Sequence, residues 1–266
     1  RIETGGQYIP GEVIYDSQDK DTALGFTTAA GGAEDILVTI ETVEGDGIWH
    51  HADDPATQTT LSRFRIRGNS SRNFPKRNYR LKLVTDETGL TGNALPLLGM
   101  SPDNDWALHG PFLDKTLMRN YMWMNISAEV MGYAPNVRFC EVLLDGEYQG
   151  VYLLMETVKE DDYRVNLSDF DAGAGAYSYL LEMDGVTAQE VPSQGGDALV
   201  AESYTFYTHQ MEFDPTYTTM FCIRYPRAEE LTPEVADYIQ RDLSRIERGL
   251  YSADMVNSRY RYQQEI

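Results

Sequence analysis

Alternation of apolar and polar side chains is clearest over residues 63–84. Phe64 and Ile66 alternate with Arg63, Arg65 and Arg67, the period of a half-buried strand. Gly68-Asn69-Ser70-Ser71 is turn chemistry. Tyr79, Leu81 and Leu83 then face one way, with Arg80 and Lys82 facing the other. The pattern predicts strand, polar turn, strand. A β-branched run at 36–40 predicts another strand. Residues 137–144 and 147–156 read as two strands joined at Asp145-Gly146, a strong hairpin signal. The second ends in a nearly continuous apolar run, which predicts burial on both faces. Shorter strand signals fall at 177–185, 204–207 and 220–225. Leu117, Tyr121, Met124, Ala128 and Met131 recur at helical spacing, predicting a helix from an N-cap at Asp114 to Gly132 just past its end. Thr232-Pro233-Glu234 opens a last helix whose buried face is Val235, Ile239, Leu243, Ile246 and Leu250. A β-rich first part followed by helices on a mixed sheet makes the fold class α+β.

Length and charge narrow this picture. The 266 residues suit one large domain or two small ones, and 42% hydrophobic residues with 18 Tyr suffice for a core. A net charge of −20 argues against nucleic acid or an anionic membrane as the partner. No apolar run approaches the roughly 18 residues of a membrane span. Cys140 and Cys222 alone make neither a disulfide framework nor a zinc spacing. An opening Arg1 in place of Met is expected of a processed or trimmed segment. His50, His51, Asp53 and Asp54 share a loop, but neighbours in sequence seldom converge on a metal. The basic side chains are more telling. Arg63, Arg65, Arg67, Arg72, Lys76, Arg77, Arg80 and Lys82 crowd one hairpin of an otherwise acidic chain. With turn hydroxyls and backbone N–H groups beside them, they suggest an anionic ligand such as phosphate. The alternative is a solvated face whose cations pair with the chain's own carboxylates.

The run Arg67-Gly68-Asn69-Ser70-Ser71, followed by Phe74-Pro75-Lys76 and Tyr79-Arg80-Leu81-Lys82-Leu83, resembles the signature hairpin of the spore-coat CotH kinase family. Trp106 with Asp114-Lys115-Thr116-Leu117-Met118-Arg119-Asn120 resembles that family's next block. Glu141-Val142 through Asp145-Gly146-Glu147-Tyr148-Gln149-Gly150-Val151-Tyr152, then Glu156 and Arg164-Val165, resemble a third. Tyr225-Pro226 and the helix after it make a fourth. The four blocks recur in order over about residues 63–250, and residues before 63 carry no such motif.

The resemblance implies an α+β, atypical protein-kinase-like fold: a β-rich nucleotide-binding lobe plus the beginning of a second lobe. Residues 1–62 would be an N-terminal β-rich extension and 63–266 the kinase-like domain. It also implies transfer of the ATP γ-phosphate, with Mg2+, to Ser or Thr of a secreted or surface protein. Phosphoryl transfer needs cations on the phosphates, a metal ion and a carboxylate that orients the nucleophile. By its place on a strand Lys82 is the expected phosphate cation, with Lys76 as the alternative. Arg67, Ser70 and Ser71 would add donors from the turn, and Glu156 ends a strand resembling one that leads into a kinase hinge. Asp161 and Asn166 have the spacing of a kinase catalytic Asp and its metal-binding Asn, and Asp184 is placed to imitate the metal-binding Asp. Among 42 acidic residues such spacings arise readily by chance. The family pattern instead puts its catalytic Asp, and a Trp-Asp-Phe-Asp metal block, beyond the Tyr-Pro helix. No such block occurs here, so the expectation is a chain that carries mainly the nucleotide-binding part and lacks the catalytic half. A non-catalytic surface, adhesion or structural module on the same fold is the alternative. The expected setting is extracellular, on a cell surface or in a spore coat. The expected partner is a protein substrate, with no nucleic acid and no membrane span, and further modules in the parent chain are compatible with this reading.

Overall fold

Regular alternation becomes strand throughout the first of two compact units, Arg1–Val158 and Lys159–Ile266. The computed structural model describes residues 1–45, 49–183, 205–209 and 218–251. In chain order the first unit holds β1 (Ile2–Glu3), β2 (Val13–Tyr15), β3 (Ala23–Phe26), β4 (Ile36–Thr42), β5 (Gln58–Arg67), β6 (Asn78–Val84), β7 (Asp105–His109), α1 (Arg119–Val130), β8 (Val137–Leu144) and β9 (Glu147–Glu156). Seven of these strands close into a barrel in the order β1-β4-β5-β6-β7-β9-β8, while β2 and β3 pair as a separate hairpin. Phe64, Ile66, Tyr79, Leu81, Leu83, Trp106, Leu108, Tyr152 and Leu154 point inward with Ile36, Val38 and Ile40 of β4. Full burial of each large apolar side chain favours the fold by about 1.5–3 kcal/mol. The Gly-rich loop before β7 adds Leu97 and Met100 to this core and closes one end of the barrel. There the Trp106 indole N–H donates to the Asp103 carbonyl at 2.9 Å, so the buried ring keeps a partner.

Closure depends on a very short strand. Ile2 of β1 lies opposite Ile40 of β4, antiparallel, and Leu144 of β8, parallel. Asp145 and Gly146 both adopt positive φ, 47° and 79°, as the tight hairpin expected there requires. In that conformation the Asp145 carboxylate accepts from the Thr4 N–H at 2.6 Å and the Thr4 hydroxyl at 2.5 Å. The Asp145 N–H donates to the Ile2 carbonyl at 2.9 Å. One turn residue therefore pins the end of β1 in place.

Residues 152–156 of β9 are buried on both faces, as their apolar run predicts. Tyr152 and Leu154 face the barrel interior. Leu153 and Met155 join Ala107 and Val137 in an outer cluster covered by Tyr121 and Met124 of α1. The helix itself begins at Arg119 rather than near Asp114. Asp114 accepts from the Thr116 N–H, the Thr116 hydroxyl and the Arg119 N–H, and Leu117 takes φ 61°. A carboxylate satisfying local backbone donors competes with the helix and delays its start. The expected buried stripe is also narrower than its spacing suggests, since Met131 is 61% exposed.

In the second unit β10 (Leu180–Glu182), β12 (Thr218–Tyr225) and β11 (Thr205–His209) form a three-stranded sheet in that order. Helix α2 (Pro233–Tyr251) buries Val235 and Ile239 against Ile223, with Leu243 packed beside them. The turn expected after residue 183 and the Leu250 side chain lie outside the described residues. The fold is thus a strand-rich α+β arrangement, with a closed barrel where the sequence suggests a mixed sheet. Among the described residues no helix is long and apolar enough to cross a membrane.

Because Thr4 is buried, removing its acceptor leaves two donors unsatisfied at about 1–3 kcal/mol. Asp145→Ala is expected to lower the stability of the first unit by about that amount, read as a reduced urea midpoint at unchanged slope.

Candidate functional site

Period two decides which side of the barrel each hairpin cation occupies. With Phe64, Ile66, Tyr79, Leu81 and Leu83 inside, Arg63, Arg65, Arg80 and Lys82 line the outer face. Register places Arg65 opposite Arg80 and Arg63 opposite Lys82, so like charges face each other across the strands. Carboxylates from other segments offset this. Arg63 pairs with Asp35, and Arg65 with Glu34 at 2.7 Å and Asp35 at 3.5 Å. Arg80 grips Asp105 through two bonds, Nε to Oδ1 at 3.0 Å and Nη2 to Oδ2 at 2.6 Å. That planar fork occupies the carboxylate of the residue directly opposite Lys82 on β7. Among the described residues Lys82 itself makes no hydrogen bond or ion pair. It is half-buried and at the end of the barrel where the Thr157 hydroxyl, just after β9, donates to the Asp105 carbonyl at 3.2 Å.

The turn lies at the other end. From Asn78 to Lys82 is four residues, about 13 Å along an extended strand. Gly68 sits at φ 109°, and a Cβ there would come within 2.1 Å of the Ser71 hydroxyl. Only glycine allows the turn to fold back so tightly. Ser70 through Asn73 form a single 3-10 turn, with the Arg72 N–H on the Asn69 carbonyl at 3.1 Å and the Phe74 N–H on the Ser71 carbonyl at 3.2 Å. The Ser70 and Ser71 hydroxyls make no hydrogen bond among the described residues. Arg67 is exposed beside the turn, and its charge helps hold the His109 imidazole below its ordinary value of 6.5. Burial is the larger cause, and Asp114 opposes both.

Lys76 follows a different course. Its ammonium donates to the Gln149 carbonyl at 2.8 Å and lies 4.1 Å from the centre of the Tyr152 ring. Gly110 and Gly150 make room for it. A Cβ on Gly110 would meet the Lys76 stem at 3.0 Å, and one on Gly150 would meet Nζ at 3.2 Å. Desolvation lowers the Lys76 pKa, and burial pushes the neighbouring Cys140 thiol up to about 11. Cys140 and Cys222 are both free.

Glu156 is buried and fully engaged. It accepts from the Asn136 N–H at 2.9 Å, the Asn136 side-chain amide at 3.1 Å and the Tyr133 hydroxyl at 3.1 Å. In the second unit the Asp161 carboxylate accepts from the Tyr163 N–H at 3.0 Å within its own turn, while Asn166 is exposed. Asp184 lies outside the described residues. No three His, Cys, Asp or Glu side chains among the described residues stand close enough to hold a metal ion, the His50–Asp54 loop included. The residues singled out by sequence therefore form two groups, Arg67, Ser70, Ser71 and Lys76 at the turn end, and Lys82 with Glu156 at the other. Sequence reasoning passed over Asp105, Arg72 and the two glycines flanking Lys76. A glycine on an otherwise regular strand, Gly150, was the one local signal of close approach.

A strand-rich α+β chain with a basic, polar-turned hairpin on a closed barrel is the class of protein these features define. The family model described as CotH kinase protein matches residues 64–260, from within β5 through the Tyr225-Pro226 junction and α2, and the chain belongs to that family. No curated protein matches the chain. Membership makes this a kinase-like protein.

Two outcomes follow from the geometry. Glu156→Gln puts an amide where an acceptor oxygen faces donors and is expected to cost about 1–3 kcal/mol, whereas Lys82→Ala stays within about 0.5 kcal/mol. Comparing their urea midpoints with wild type checks this. The depressed His109 value means the unfolded chain binds more protons than the folded one just below pH 6.5. Stability should therefore fall as pH drops through about 6.5 toward the lower folded value, and less steeply in His109→Gln, measured as urea midpoints across that interval.

Proposed function

We propose that the outer face of the β5–β6 hairpin binds ATP, and that the parent protein is a Ser/Thr protein kinase acting on secreted or surface proteins. One observation carries the reading. In a hairpin where Arg63, Arg65, Arg72, Arg77 and Arg80 are occupied by carboxylates or backbone carbonyls, Lys82 has no hydrogen-bond or ion-pair partner among the described residues, and it stands on a strand at the end of the barrel where the chain leaves β9. A strand lysine so placed is the cation that phosphoryl transfer requires on its phosphates. The Ser70 and Ser71 hydroxyls supply neutral donors at the turn, a second station along the same hairpin. A nucleotide triphosphate lying lengthwise would bridge the two. Lys76 is assigned a structural part, because its ammonium is held between a carbonyl and an aromatic face.

ATP use and a metal ion go with kinases in general, but no residue cluster described here fits Mg2+, and the ion is given no protein ligand in this reading. Asp161, Asn166 and Asp184 are likewise given no step. The carboxylate that would orient the substrate hydroxyl belongs, in this reading, to a part of the parent protein beyond these elements. Binding of nucleotide is the function proposed for the chain itself.

Titration calorimetry with ATP and Mg2+ tests this. Wild-type chain should bind, and Lys82→Ala should weaken binding about 10- to 100-fold, the loss of one charge-assisted contact. Lys76→Ala should leave affinity within about twofold while lowering stability by about 1–3 kcal/mol. A folded wild-type chain that binds no ATP would refute the reading. Phosphate transfer by this chain alone would refute the assignment of catalysis elsewhere.

A further inference from the structure

Three residues of the turn between β5 and β6, together with Ile66 at the end of β5, are fastened to a segment that precedes the family match. The Ile66 N–H, at the end of β5, donates to the Pro10 carbonyl at 2.9 Å. From there residues 10–27 run out through β2, return through β3, and close on themselves. The Gly11 N–H donates to the Thr27 carbonyl at 2.9 Å, and the Thr27 N–H to the Glu12 carbonyl at 2.8 Å. Arg72, in the middle of the turn, reaches into this loop. Its Nη1 donates to the Gly11 carbonyl at 2.7 Å and the Ile66 carbonyl at 2.9 Å, and its Nε donates to the Gly68 carbonyl. Its guanidinium lies 3.9 Å from the centre of the Phe26 ring on β3. On either side Arg77 pairs with Glu12 at 2.8 Å, and the Asn73 amide donates to the Tyr15 hydroxyl.

The approach is as close as backbone allows. Gly11 has φ 107°, and a Cβ there would lie 2.6 Å from the Ile66 carbonyl oxygen and 2.7 Å from Arg72 Nη1. A side chain at this position forces either the loop or the arginine away. We propose that residues 10–27 are a strap that holds the 68–77 turn in the shape nucleotide requires, with Arg72 as its pin. This rests on the nucleotide reading above. It gives Arg72 a positioning role, because a guanidinium tied to three carbonyls and an aromatic face orders the turn instead of meeting phosphate.

The reading separates charge from geometry. A fork between three carbonyls is not replaceable by a single ammonium, and exchange in the turn, which a phosphate contact alone would not set in the unliganded chain, reports its positioning role. Gly11→Ala, Arg72→Ala and Arg72→Lys should each speed hydrogen exchange at the Ile66, Arg72 and Phe74 amides about tenfold or more, and each should weaken ATP binding by a similar factor. Asp145→Ala, which disturbs the barrel elsewhere, should leave exchange in the turn and the dissociation constant for ATP near wild type.

Unchanged exchange in Gly11→Ala would overturn the strap. So would faster exchange with unaltered ATP binding, since the shape of the turn would then not matter to the ligand. Wild-type affinity in Arg72→Lys would overturn Arg72 as the pin. A wild-type chain that binds no ATP fails at the nucleotide reading and removes the strap's part in binding, while exchange still reports whether residues 10–27 hold the turn.

Discussion

Closure of the barrel by β1 is the constraint on which the rest of the first unit depends. Two residues, Ile2 and Glu3, fill the gap between β4 and β8. Without them both strands would present open edges, and nothing would oblige the apolar sides of seven strands to face a common interior. With the ring closed, period two forces every residue of β5 and β6 to one side or the other. Phe64, Tyr79 and Leu81 meet the core, so Arg63, Arg80 and Lys82 must face outward. The Asp145 carboxylate, by holding Thr4, fastens the end of this closing strand.

Charge is organised on the scaffold so made. The chain is strongly acidic, yet its basic hairpin is not simply neutralised. Glu34, Glu12 and Asp105 each take a particular arginine, and Asp35 takes both Arg63 and Arg65. Exposed ion pairs of this kind contribute little to stability singly. Their stronger effect here is selective: the arginines are oriented and occupied, the repulsion between Arg63 and Lys82 is softened, and Lys82 remains available. Lys76, six residues away and before β6 begins, meets the opposite fate because the Gln149 carbonyl and the Tyr152 ring receive it.

The hairpin also borrows from outside the matched family region. Residues 1–62 supply β1, β4, the first half of β5 and the loop that carries Gly11 and Phe26. The signature motif is completed by contacts with segments that bear no motif of their own. Arg72 illustrates the point. Within its own stretch it reads as one more cation of a basic turn, and only the fold shows that it spends its donors on Gly11, Ile66 and Gly68.

Much of the local structure was legible because it rests on short-range physics. Alternation specifies the strands around Phe64 and Leu81, positive φ at Asp145-Gly146 specifies a hairpin, and the unbroken apolar end of β9 specifies burial on both faces. The start of α1 was misplaced by four residues, the N-cap being Met118 and not Asp114, because helical spacing does not reveal that the Asp114 carboxylate satisfies local donors. Glu156 read only as the end of a strand leading toward a hinge, and the fold shows its carboxylate held by Tyr133 and Asn136. By itself the sequence determined most of the longer strands though not β1, β3 or β7, the class α+β, the family and the basic character of one hairpin, all carried by residues near one another in the chain. The tertiary structure alone decided that the sheet closes into a barrel and which cations are occupied. Those outcomes depend on through-space partners 25, 28 and 65 positions apart, at Arg80–Asp105, Arg63–Asp35 and Arg77–Glu12, which meet only when strands and loops distant in the chain are brought together by folding.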